Sequence, residues 1–193
     1  MKKVKMTLIA VVVVGLVAGF YYYLTNRTPR SVENLTEVDE VTFVLSKNLD
    51  NDYPGTPREV VKFYNRAILC LYNEEYTDEE FAKLLGQLRG MMDEELLEEN
   101  PQDVFFSNMQ ADVEIFHETD KTINTSTVCD SDEVVQQTVE GRECAYVASS
   151  YFVRSPKAYT RSNQQYILRK DDEGNWKILG FVLLGGDEIN AEE

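Results

Sequence analysis

Thr56 to Tyr72 reads TPREVVKFYNRAILCLY, and its first four residues decide how the folded part of the chain begins. Threonine, then proline, then glutamate three residues after the threonine form a capping box. The hydroxyl and the carboxylate each satisfy an orphan backbone amide, and the fixed φ of proline suits a first helical turn. Val60, Phe63, Tyr64, Ala67, Ile68 and Leu71 recur at three- and four-residue steps, which predicts an amphipathic helix. A second box, Thr77-Asp78-Glu79-Glu80, opens a helix with Phe81, Leu84, Leu85 and Leu88 on one face. Gly90 interrupts it, and Met91, Met92, Leu96 and Leu97 predict a short third helix that stops before Pro101.

Beyond Pro101 the pattern turns to strand. Asp112 to Glu118 (DVEIFHE) alternates, with Val113, Ile115 and His117 on one side, which predicts a strand carrying His117. Glu143–Arg154, Thr160–Lys170 and Trp176–Leu184 are longer runs rich in aromatic and β-branched residues, and Val134–Val139 predicts one more strand. Gly141, Ser155-Pro156-Lys157 and Asp171 to Asn175 supply the turns, with Gly174 suited to a positive φ. Helices followed by a meander of antiparallel strands is an α+β pattern, in which helices cover one face of a sheet.

Thr56–Tyr72 and Gln164–Phe181 (QQYILRKDDEGNWKILGF) together resemble the nuclear transport factor 2-like superfamily, over residues 56–185. Leu168, Lys170, Gly174, Trp176, Lys177 and Ile178 fit the final hairpin of that superfamily. The resemblance implies a cone, with helices packed on a curved antiparallel sheet around an interior pocket. It also implies the Asp/His or Asp/Tyr proton-transfer sets that enzymes of the superfamily often carry.

The aromatic residues offer candidates for such a pocket: Phe63, Tyr64, Tyr151, Phe152, Tyr166, Trp176 and Phe181 would line it or fill the core. His117, the single histidine, is the weak catalytic candidate. As a base it would need Tyr64 or Tyr166 as a hydrogen-bond donor to a developing oxyanion. The competing reading is an ordinary half-exposed strand histidine.

Working outward, Met6 to Leu24 (MTLIAVVVVGLVAGFYYYL) holds no charged residue and follows Lys2, Lys3 and Lys5. As a helix it would extend about 28 Å, close to the roughly 30 Å hydrocarbon core of a bilayer. The expected topology is a cytoplasmic tail at 1–5, a transmembrane helix at 6–24 and an external C-terminal domain, with Tyr21–Tyr23 at the headgroup level. A cleaved signal peptide is the rival reading, although Val17-Ala18-Gly19 runs into Phe20 and three tyrosines. Residues 25–55 read as a stalk with one apolar patch, Val41–Leu45, that would form a short strand or a helix lead-in. Residues 186–193 read as an acidic tail.

Charge narrows the partners. The first 30 residues hold five basic side chains and no acid, leaving 14 basic against 34 acidic from residue 31 onward, a net −20. Such a domain repels phosphate backbones, so nucleic acid is not an expected partner. Cys70 sits among apolar neighbours and reads as core, whereas Cys129 and Cys144 are the pair that an external disulfide would join. The acidic runs Asp93–Glu99 and Asp171–Glu173 lack calcium-loop spacing and read as a solvated helix face and a turn. No metal or cofactor motif is present in the sequence.

The expectation is therefore a membrane-anchored, extracytoplasmic binding or assembly module without catalysis, joined to the membrane through residues 6–24 and to a protein partner or a second copy. The alternatives are a small-molecule carrier or enzyme using the pocket, and a cation-responsive envelope sensor.

Overall fold

The computed structural model describes residues 39–190, and their side chains as far as residue 185. The predicted span Met6–Leu24 lies outside the described residues, among which no helix is long and apolar enough to cross a membrane. The fold is α+β, with helices packed against a curved antiparallel sheet.

Both capping boxes form. Helix α2 (Pro57–Asn73) starts with the Thr56 hydroxyl accepting from the Glu59 amide at 3.2 Å, while the Glu59 carboxylate accepts from the Thr56 amide at 3.1 Å. Helix α3 (Asp78–Gly90) starts the same way on Thr77 and Glu80. The short α4 (Glu94–Glu99) opens on Asp93, and α5 (Gln102–Glu118) follows Pro101 with no side-chain cap.

Three sequence expectations need correction here. First, α5 occupies the stretch predicted as the His117 strand. The alternation in DVEIFHE misleads because α5 buries only Val113 fully and leaves Ile115 exposed, so its helical stripe is faint. Second, the proposed stalk does not run to residue 55. Glu40–Ser46 is a helix, α1, and it buries Val41 and Val44 in the core; Tyr53 follows, its hydroxyl donating to the Trp176 carbonyl at 2.9 Å. Third, residues 187–190 are not a loose tail but continue the last strand.

Five strands build the sheet: β1 (Thr122–Val128), β2 (Val135–Val139), β3 (Arg142–Arg154), β4 (Ala158–Lys170) and β5 (Trp176–Asn190). Their order is β1-β3-β4-β5, all antiparallel, with β2 alongside the first half of β3 and β1 alongside the second. Glu140 and Gly141, with φ of 52° and 82°, make the two-residue turn between β2 and β3 that demands left-handed backbone at both positions. Strand β1 carries a bulge between Ile123 and Thr125, and Asn73 clamps Ile123 there through both its amide and its carbonyl.

The core lies between sheet and helices, where Val60, Leu71, Leu84, Leu85, Leu88 and Leu168 are fully enclosed. Each such side chain contributes about 1.5–3 kcal/mol of transfer free energy. Cys129 and Cys144, which the sequence offers as a candidate disulfide, are free thiols. Cys129 bonds through its backbone to Ala148, four positions along β3 from Cys144, or about 13 Å at the strand rise. That separation is too long for a bridge.

Candidate functional site

Strand register determines which side chains of the sheet look toward the helices. Pairing sets Tyr151 opposite Ser162, Ser149 opposite Gln164 and Val147 opposite Tyr166, and these alternate positions face inward beneath α2 and α5. Helix α2 contributes Tyr64, Ile68 and Tyr72 from one stripe; α5 contributes Met109, Asp112 and Phe116 from another. Between them lies a largely apolar, open cavity of about 440 Å³, bordered on the β5 side by the half-exposed Phe181. Its size falls in the range of small-molecule sites.

The rings interlock. Tyr64 meets Tyr166 edge-on at 5.8 Å, Tyr72 meets Phe116 edge-on at 4.9 Å, and Tyr166 lies 5.8 Å from Phe181. Burial alone pushes the Tyr64 hydroxyl up to about 12 from an ordinary 10.0. Burial is also the leading cause that raises Tyr72, Tyr151 and Tyr166, so all four phenols are neutral across the physiological range.

A buried chain of neutral hydrogen bonds underlies the cavity. Ser149 Oγ donates to the Thr127 carbonyl at 2.9 Å, and because that uses its only proton it must accept from Asn65 Nδ2 at 2.7 Å. Asn65 Oδ1 then faces the Tyr151 hydroxyl, which donates to it at 2.6 Å. With that proton committed, the 3.0 Å contact between the Tyr151 and Tyr166 hydroxyls has Tyr166 as donor. Tyr166 therefore presents lone pairs to the cavity and no proton. At the rim, the Asp112 carboxylate accepts the Tyr72 hydroxyl through Oδ2.

Of the candidates from sequence, Tyr64, Tyr151, Tyr166 and Phe181 come together here, and the others do not. Trp176 is buried in the main core, with the Lys170 ammonium 5.1 Å from its ring centroid. Phe63 lines a separate groove with Phe43 and Tyr53, and Phe152 is half-buried away from the cavity. His117 lies on the neighbouring face of α5, where Nε2 donates to the Tyr72 carbonyl at 2.9 Å and so helps to cap the end of α2. It borders a hollow of about 640 Å³ walled by Glu74, Glu75, Asp78 and Glu114. Tyr72 and Asp112 escaped the sequence reading because their convergence requires 102–118 to be helical.

A further hollow of about 670 Å³ lies at the opposite end of the sheet and is larger than the aromatic cavity, but its walls are strongly charged and its buried Asp93 is already paired. Arg169 Nε meets Asp93 Oδ2 at 3.0 Å and Arg169 Nη1 meets Glu95 at 2.8 Å, while Lys170 pairs with Glu143. Asp93 is buried, which corrects the reading of 93–99 as a wholly solvated face. No group of three or more ligating side chains suited to a metal occurs among the described residues.

The fold and cavity define an α+β protein with an aromatic-walled hollow between its sheet and two helices. A family model described as Domain of unknown function (DUF6715) matches residues 1–181, and the chain belongs to that family. No curated protein and no solved structure matches it.

Proposed function

We propose that the protein is a membrane-tethered, non-catalytic binding module of nuclear transport factor 2-like architecture, whose aromatic cavity holds a small, largely apolar ligand outside the cytoplasm. The cavity carries the reading: an open space of about 440 Å³ where the resemblance puts the pocket, walled by rings whose hydrogen bonds are already organised. The uncharged run Met6–Leu24 with its preceding lysines supports the tether and the orientation.

Binding is favoured over proton transfer for two reasons. His117 borders a different hollow and contributes no base to this one. Asp112 and Tyr166 do share the cavity, but Asp112 Oδ2 is taken by the Tyr72 hydroxyl and Tyr166 donates its proton to Tyr151, which leaves Tyr64 as the one lining phenol able to donate.

The test is a titration of the full chain, held in zwitterionic lipid nanodiscs, with 2-naphthalenemethanol, followed by ligand-observed NMR and corrected against empty discs. Saturable one-to-one binding that Phe181→Ala and Tyr64→Ala weaken is the expected result. Signals identical to those of empty discs would reject the reading.

A further inference from the structure

We infer that the cavity selects an organic cation, an ammonium or similar group carried on a compact apolar body. This rests on the binding reading above and adds the charge of the ligand. Six aromatic rings, from Tyr64, Tyr72, Phe116, Tyr151, Tyr166 and Phe181, line the space. Aromatic faces carry negative potential and attract cations, more strongly where water is excluded.

No lysine, arginine or histidine lines the cavity, and Asp112 is its one ionisable carboxyl group. Asp112 forms no ion pair among the described residues, and its Oδ2 takes the Tyr72 hydroxyl. The matched charges around Arg169 lie in another hollow and do not reach this carboxylate.

The floor adds to the same preference. The direction of the chain from Tyr166 through Tyr151, Asn65 and Ser149 to Thr127 leaves lone pairs, not a proton, on the Tyr166 oxygen at the floor. That oxygen accepts a hydrogen bond from an N–H donor and repels the oxygens of a carboxylate or phosphate. The net charge of −15 for the whole chain repels anions further and draws cations toward the mouth. Rings and rim therefore select in one direction, and an apolar anion such as a fatty acid meets no cationic side chain.

An isosteric series isolates charge: 2-naphthylmethylammonium, neutral 2-naphthalenemethanol and anionic 2-naphthoate, titrated against the full chain in zwitterionic nanodiscs. The ammonium is expected to bind about tenfold or more tighter than the alcohol, with no saturable binding of the naphthoate. Asp112→Asn retains an acceptor for the Tyr72 hydroxyl. It is expected to weaken the ammonium far more than the alcohol, and so to remove most of the ammonium's advantage.

Equal binding of ammonium and alcohol, or tighter binding of the naphthoate, would overturn the inference while the binding reading stands. An ammonium advantage that survives Asp112→Asn would place the cation elsewhere on the acidic surface and would also overturn it. Failure of all three ligands to bind removes the binding reading and, with it, the inference.

Discussion

The two ends of the sheet bury polar groups in opposite ways. At the Trp176 end, Asp93 caps α4 and grips the Arg169 guanidinium, while the Asp93 amide donates to the Ile178 carbonyl and the Ile178 amide to the Met91 carbonyl, each at 2.8 Å. Full charges are brought together and matched. At the Tyr166 end nothing in the buried chain is charged, every hydrogen bond is neutral, and the chain stops at an open space. The first arrangement locks helices to sheet. The second keeps a shaped hollow accessible, which is why function is assigned to the smaller cavity and scaffolding to the charged end.

Alkaline pH tests the neutral end most severely. A phenol whose pKa is higher in the folded than in the unfolded state contributes stability that is complete below its ordinary value of 10.0 and lost as pH rises through the folded value, about 12 for Tyr64. Tyr72, Tyr151 and Tyr166 shift in the same direction. Their ionisation, followed by phenolate absorbance, should therefore coincide with cooperative unfolding above about pH 10 and not precede it. Smooth titration at the ordinary value with the fold intact would show that these rings are open to water.

Next in size is the charged end. Asp93→Ala leaves the Arg169 guanidinium with only the exposed Glu95 as partner and uncaps α4, and should cost about 3–5 kcal/mol in chemical denaturation. A loss comparable with that of an exposed pair would mean that the two ends are less different than the contacts indicate. Tyr151→Phe deprives Asn65 Oδ1 of its donor and should cost about 1–3 kcal/mol. The smallest effect belongs to the surface. Arg66 pairs with the half-exposed Glu40 at 2.9 Å, so Arg66→Ala should cost about 1 kcal/mol or less, measured in the same way.

What the sequence made legible was whatever local chemistry determines. The boxes at Thr56 and Thr77 and the turns at Gly141 and Gly174 are read from a few neighbouring residues, and all four occur. Elements held by distant contacts were not legible. Helix α1 is apolar on one stripe for only two turns, and nothing nearby reveals that Val41 and Val44 reach the core. Strand β1, TINTSTV, is polar enough to read as loop and is ordered by pairing with β3 and by the Asn73 clamp. The site divides the same way. Tyr64, Tyr166 and Phe181 lie in the two stretches with the clearest periodicity, whereas Asp112 enters only through α5.

The direction of the buried chain also connects chain pairing to chemistry. Ser149 finds the Thr127 carbonyl because β1 meets β3 with Val128 opposite Ser149. A slip of one residue between those strands would carry the Thr127 carbonyl away from Ser149, release Asn65 to rotate, and free the Tyr151 proton to point at Tyr166. The cavity floor would then change from acceptor to donor with no change in any residue that lines it. Sheet alignment thus acts as the memory that preserves the polarity of the cavity.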